Sequence, residues 1–318
     1  MMRQPAAAPA PAQDPTPLLN KVIADIGGII LGKEDVVRLA VACLVAGGHL
    51  LIEDLPGVGK TTLAHALARA FGLNFQRIQF TSDMLPADIL GVSVYDNDSG
   101  AFKFHPGPVF SQVILADEVN RATPKAQSAL LEAMEEHQVT TDGATYPLPQ
   151  PFFVIATQNP AYQVGTFPLP ESQLDRFLMC LQMGYPDRAA ERELLLGTDR
   201  RELLQRLPAG MAAEQLAAIR SRVAATHVSA ALVDYLQALL ARSRESVLCR
   251  NGLSPRAGLA LLRCAQAWAL MDSRGHVIPE DVQAVLPSVV NHRLQPAEGQ
   301  PAHAAAELMS QLAAVPIP

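Results

Sequence analysis

Leu55-Pro56-Gly57-Val58-Gly59-Lys60-Thr61-Thr62 narrows the folds open to this chain more than any other stretch. It joins the apolar run Leu50-Leu51-Ile52 to Leu63-Ala64-His65-Ala66-Leu67-Ala68, which has helical character. A strand, a glycine-rich turn and a helix start in that order build an anion cradle. Backbone N–H groups of the turn and the positive end of the helix dipole face the same point. Gly57 and Gly59 let the backbone approach a phosphate that a side chain would hold off. Lys60 is expected to reach the β- and γ-phosphates of a nucleotide and the Thr61 hydroxyl to ligate Mg²⁺, with Pro56, Val58 and Thr62 completing the loop. Where the usual phosphate-loop pattern opens with glycine, this chain has Asp54. Taken alone, the string could also be a strand-to-helix turn carrying a solvated lysine.

Downstream residues weigh against that plainer reading. Val113-Ile114-Leu115-Ala116 is a short apolar run ending in Asp117-Glu118. In an α/β sheet, ligands bind beyond the carboxyl ends of the strands, so both acids are expected in the crevice that holds Lys60. Asp117 is then a Mg²⁺ ligand through water, and Glu118 orients and polarises the attacking water. An acidic pair ahead of a helix N-terminus, near Thr123-Pro124, is the alternative for these two residues alone. A further strand, Phe152-Phe153-Val154-Ile155-Ala156, runs into Thr157-Gln158-Asn159-Pro160. The Asn159 amide at a strand tip suits a water or a γ-phosphate, although asparagine before proline is also an ordinary turn. Residues 169–177 read as a short helix carrying Arg176. Ser254-Pro255-Arg256 reads as a helix start, where an arginine opposes the dipole and calls for an anionic partner; ATP would be one.

These residues resemble the AAA+ ATPases, and among them the MoxR family. The string from Ala116-Asp117-Glu118-Val119-Asn120-Arg121 through Ala133-Met134-Glu135-Glu136 is similar to that family's signature over its whole length. Gly107-Pro108-Val109-Phe110 and the segment from Phe80-Thr81-Ser82-Asp83 to Leu90-Gly91 look like it as well, and the resemblance spans residues 18–294. It implies an α/β core, a parallel sheet flanked by helices, followed by a C-terminal all-helical lid. It implies ATP and Mg²⁺ as cofactors, with Asn159 as sensor 1, Arg176 as the arginine finger and Arg256 as sensor 2. Arg176 would then lie too far from its own nucleotide to touch it and would complete the site of the next subunit in a homo-hexameric ring. The resemblance further implies a protein client, remodelled or activated in chaperone fashion, often with a partner bearing a von Willebrand factor A domain. A nucleotide-gated assembly scaffold with little turnover is the competing function.

Composition bounds the rest. With 318 residues, 25 basic and 31 acidic, the chain carries a net charge of −6. That length suits a core over residues 18–186 and a lid with C-terminal tail over residues 187–318, after a disordered proline- and alanine-rich tail over residues 1–17. Cys43, Cys180, Cys249 and Cys264 lack metal-ligand spacing and are expected as buried small residues in a reducing cytoplasm. No apolar stretch approaches the roughly 20 residues that a membrane span needs. Two β-hairpins are expected, one turning through residues 96–100 and one at Asp142-Gly143. The second contains no lysine or arginine and the first only Lys103, which argues against gripping nucleic acid. Tyr95, Phe102 and Tyr146 could instead grip polypeptide or pack within the hairpins. The segment around Leu31-Gly32 is expected against adenine or in ordinary core packing. In the lid, Leu216, Ile219 and Val223 share a face, as do Leu232, Tyr235, Leu236, Leu239 and Leu240, with Leu259, Leu262 and Ala265 continuing the pattern.

Overall fold

The computed structural model describes residues 14–159, 166–301 and 303–317. Helix α1 (Thr16–Gly27) opens the described chain and α2 (Glu34–Val45) follows. The Thr16 side chain is buried and its hydroxyl donates to the Leu270 carbonyl, so the packed chain starts two residues ahead of the expected boundary. The rest of the expected tail, residues 1–13, lies outside the described residues. Strand β1 (Leu50–Glu53) then leads through the glycine loop into α3 (Lys60–Ala70), and β2 (Phe75–Gln79) and α4 (Pro86–Leu90) come next. The first hairpin is β3 (Gly91–Asp96) with β4 (Ala101–Pro106). Strand β5 (Val113–Asp117), a 3-10 turn and α5 (Pro124–Glu136) precede the second hairpin, β6 (Gln138–Thr141) with β7 (Ala144–Pro147). Strand β8 (Phe153–Gln158), α6 (Glu171–Leu174) and β9 (Met179–Leu181) complete the sheet region.

One parallel sheet of order β2-β5-β8-β1-β9 organises these elements. Its inner strands β5 and β8 open as unbroken apolar runs, residues 113–116 and 153–156, because both faces are covered, as parallel sheets require, and turn polar only at their carboxyl ends. Strand alternation sends successive side chains to opposite layers. Leu50, Ile52, Val113, Leu115, Phe153 and Ile155 join an apolar cluster with α1, α2 and α3. Leu51, Ile114, Ala116, Val154 and Ala156 join a second cluster with α4 and α5.

Beyond the sheet the chain is helical: α7 (Arg188–Leu196), α8 (Arg200–Arg206), α9 (Ala213–Ala225), α10 (Ala230–Glu245), α11 (Pro255–Met271), α12 (Pro279–Val290) and α13 (Ala304–Ala313). Leu216, Ile219, Val223, Leu232, Tyr235, Leu236 and Leu239 are buried, in line with the helical spacing. Leu259 departs from it and is 57 % exposed. The buried face of α11 runs instead through Ala257, Ala260, Leu261, Cys264 and Ala265, small residues that let the helix sit close to its neighbours. The first apolar cluster continues from the sheet into these helices without interruption.

The second hairpin turns where expected, with Asp142 and Gly143 both at positive φ, the backbone that a two-residue turn of this twist needs. Tyr95 and Phe102 face each other across the first hairpin, edge to face at 5.4 Å, and both are exposed. Tyr146 does not stand free beside them. Its ring stacks on Phe104 at 4.2 Å, joining the two hairpins. All four cysteines are free thiols, with Cys43, Cys249 and Cys264 buried. Burial pushes the Cys180 and Cys264 thiols up to about 12, so neither is a ready nucleophile. Among the described residues no helix is long and apolar enough to cross a membrane.

Candidate functional site

Three strand ends meet at the carboxyl edge of the sheet. The loop after β1 holds Gly57 and Gly59 at φ +86° and +97°, a region that side chains rarely adopt. A Cβ on Gly57 would meet nothing within 4 Å, so the loop opens onto free space rather than onto packed chain. Gly59 caps α3, which aims the helix N-terminus at that space. Pro56, Gly57, Gly59, Lys60, Thr61, Thr62, Asp117, Glu118 and Asn159 line one cavity of about 310 Å³. Val58 lies outside it. Its side chain packs on the first apolar cluster, which leaves only its backbone for the cradle.

The polar groups here hold one another. Lys60 Nζ donates to the Asp54 carbonyl at 2.5 Å and lies 3.4 Å from Asn159 Oδ1. Burial lowers the Lys60 pKa, opposed by the negative charges of Asp54, Asp117, Glu118 and Glu53. Asp117 Oδ1 accepts the Thr157 hydroxyl at 2.6 Å, while Oδ2 takes Arg77 of β2, also at 2.6 Å. Glu118 sits in the left-handed region at φ 57°, an uncommon conformation for a residue with a long side chain. Its N–H donates to Thr157 Oγ1 at 2.9 Å, and its carboxylate accepts Asn159 Nδ2 at 3.0 Å. Gln79 and Arg121 hold the other carboxylate oxygen at 3.1 and 3.0 Å.

Sequence reasoning missed three parts of this arrangement. Asp54, seen only as a departure from pattern, accepts the N–H groups of Met183 and Gly184 on Oδ2 at 2.5 and 2.6 Å. It ties the loop to the chain leaving β9, and no local signal reveals a partner that distant. Thr157 had a signal: a hydroxyl at the end of an apolar strand, fully buried, needs partners. Arg77 and Gln79, exposed residues of an edge strand, had none.

Arg176 and Arg256 are not in the cavity. Arg176 falls just past α6 rather than within a helix, and Arg256 is in the first turn of α11 behind the Ser254 cap. Both line a separate cleft of about 300 Å³ with Gly48, His49 and Leu178, residues that precede β1 and β9. That cleft is therefore at the amino edge of the sheet, the length of β1 away from the phosphate loop, roughly 13 Å for four residues. The expectation of an anionic partner for Arg256 is met within the chain, and by a carboxylate rather than a phosphate. Glu135 binds Arg256 at 2.6 Å and Arg176 at 2.9 Å. Gly32 faces the start of α7, where an added Cβ would meet the Ala190 Cβ at 3.0 Å.

The cavity suits a triphosphate with Mg²⁺. It combines an open glycine cradle, a helix N-terminus, a buried lysine, and hydroxyl and carboxylate oxygens for a hard cation. Comparison with known proteins agrees. Residues 49–179 match the profile of the ATPase family associated with various cellular activities (AAA), and residues 241–312 match the AAA lid domain. The uncharacterized protein YeaC of Bacillus subtilis is 44 % identical, over 89 % of this chain and 88 % of its own length. Chaperone MoxR1 of Mycobacterium tuberculosis is 40 % identical over 87 % and 75 %, and protein MoxR of Methylorubrum extorquens 32 % over 85 % of each. A crystal structure from Cytophaga hutchinsonii, of a protein named there as a presumed ATPase, superposes with a TM-score of 0.83 at 34 % identity. It covers 95 % of this chain and 94 % of that one. With the phosphate loop, the strand-end acids and the helical lid all in place, the chain belongs to the MoxR family of AAA+ ATPases.

Proposed function

We propose that this chain hydrolyses ATP at composite sites between its own copies, assembled as a ring of six, and uses the turnover to remodel client protein complexes. One observation carries the reading. Lys60, Asp117, Glu118 and Asn159 gather at one edge of the sheet, while Arg176 and Arg256 gather at the other. Two guanidiniums separated from the phosphate loop by the length of β1 cannot serve it within one copy. They can serve the loop of the next copy in a head-to-tail ring, the arrangement that a heterologous contact closes into. Arg256, on the lid, then acts in trans beside Arg176.

Each residue has a task within such a site. The glycine loop and Lys60 bind the β- and γ-phosphates. Thr61 and Asp117 would hold Mg²⁺, which would neutralise part of the phosphate charge when bound. Glu118, aimed by Asn159 and by a backbone that Thr157 holds, accepts the proton of the attacking water. Trans arginines offset the charge that develops on the transferring phosphoryl group, worth about 10³–10⁵ in rate in related chemistry. The exposed Tyr95 and Phe102 on the first hairpin suit contact with polypeptide, and the hairpins are short of the cations that a nucleic-acid grip needs. A client presented by a partner with a von Willebrand factor A domain follows from the family resemblance.

Complementation tests this reading. Lys60→Ala and Arg176→Ala should each be inactive alone. Mixed, they should regain turnover, because the intact loop of an Arg176→Ala copy can meet the intact arginine of a Lys60→Ala copy. A mixture as inert as its parts refutes the composite site. A second reading, the nucleotide-gated scaffold, is favoured by the Arg77–Asp117 and Arg121–Glu118 ion pairs, which occupy both acids. If those pairs hold turnover down, Arg77→Ala should raise kcat, whereas a true ATPase that sheds them on binding should be unchanged or slowed.

A further inference from the structure

Helix α5 connects the two edges of the sheet within one copy. Its first turn is fastened beside the acids: the buried Gln127 amide donates to the carbonyls of Ala122 at 3.1 Å and Phe167 at 3.0 Å. Eight residues on from Gln127, roughly 12 Å along the axis, its last turn carries Glu135. A carboxylate at a helix C-terminus is opposed by the dipole. Here it is offset by two guanidiniums, one from the core and one from the lid. Glu135 Oε2 takes Arg176 at 2.9 Å and Oε1 takes Arg256 at 2.6 Å. Arg176 also donates to the Leu131 carbonyl of the same helix at 2.7 Å.

The frame around this trio is fixed more firmly than the trio itself. Asp175, next to Arg176, accepts the buried Arg293 at 2.7 Å and the Ser254 hydroxyl, the cap of α11, at 3.1 Å. That strut sets where the lid meets the core. Glu135 is partly exposed in the cleft and engages the two arginines that the strut leaves to it. Each of its oxygens serves one cation, so the arginines are presented as a pair with a set spacing.

We infer that Glu135 is a positioning residue: it holds Arg176 and Arg256 in register so that both reach the neighbouring copy's triphosphate together. Because it rides on the helix leaving Asp117 and Glu118, it also joins a copy's own pocket to the cations it offers the next. The inference rests on the composite-site reading. Glu135→Gln is the direct probe. Its amide oxygen still accepts one guanidinium, but its NH₂ meets the other donor to donor, so the pair loses its register without loss of volume.

Glu135→Gln should bind a fluorescent ATP analogue with wild-type affinity, since the glycine loop is untouched, which also reports that the chain is folded. Its KM should stay near wild type while kcat falls about 10- to 100-fold, the scale of a misplaced catalytic group. Glu135→Asp, which keeps the charge but shortens the reach, should recover part of kcat; no recovery would count against a charge-based role. In mixtures, Glu135→Gln should be rescued by Lys60→Ala, whose copies bring an intact Glu135 and both arginines. It should not be rescued by Arg176→Ala. Wild-type kcat in Glu135→Gln, or rescue by Arg176→Ala instead of Lys60→Ala, overturns the inference. Failure of the Lys60→Ala and Arg176→Ala pair to complement each other overturns the composite site, a separate result.

Discussion

His49 ties acid sensitivity to the arginine-bearing edge of the molecule. The residue precedes β1 and its ring is enclosed by Phe152 and the end of α5. The Val154 N–H donates to Nδ1 at 3.0 Å, so Nδ1 must be the unprotonated nitrogen, and Nε2 donates to the Met134 carbonyl at 3.2 Å. Burial is the main reason its pKa is lowered to about 4, with nearby His137 and Arg220 adding to the effect. Unfolded, the same ring takes up a proton near pH 6.5. Between these values the unfolded chain binds the extra proton, so stability that is complete above pH 6.5 is lost as the pH falls toward 4. At 1.36 kcal/mol per unit, the loss from this one group sums to about 3 kcal/mol. His292, also held neutral by burial, adds to the acid loss in every variant that retains it. The perturbation is therefore His49→Gln, whose amide can serve both partners without titrating. Urea midpoints at steps from pH 7.5 to 4.5 should fall less steeply in the variant, whatever its stability at pH 7.5. Parallel curves for the two proteins would refute the assignment of a buried, neutral ring.

Two further changes probe the nucleotide edge. Thr157→Val keeps the shape of the side chain but removes the hydroxyl that Asp117 and the Glu118 N–H share. It should leave binding of a fluorescent ATP analogue intact, lower kcat, and cost about 1–3 kcal/mol in denaturant unfolding, the penalty of a stranded buried group. Asp54→Ala frees the N–H groups of Met183 and Gly184. It should weaken nucleotide binding and raise hydrogen exchange at those two amides, and unchanged exchange there would count against its role as a tie.

Much of this arrangement could be read from the chain because its signals are local. The glycine loop, the acids after an apolar run and the Asp142-Gly143 turn each carry their geometry in adjacent residues. What escaped was contact between distant segments. The dipole argument correctly asked for an anion beside Arg256, yet nothing in the sequence said that Glu135, on a helix of the core, would be the one. Periodicity put Leu259 in the interior, but an alanine-rich helix offers more than one face that packs, and the smaller residues won. For Tyr146 the sequence left gripping and packing both open, because its partner Phe104 belongs to another hairpin. Asp54 read only as a departure from the usual motif because the N–H groups it accepts come from beyond β9.

The stacking of Tyr146 on Phe104 has a mechanical corollary. Two fingers whose rings press face to face share any load placed on either tip, so a tug on Phe102 at the first is transmitted to the second. The second finger springs directly from His137, the left-handed residue that ends α5. A pull exerted far from the nucleotide thus arrives, through contiguous rigid parts, two residues from the carboxylate that holds the arginines.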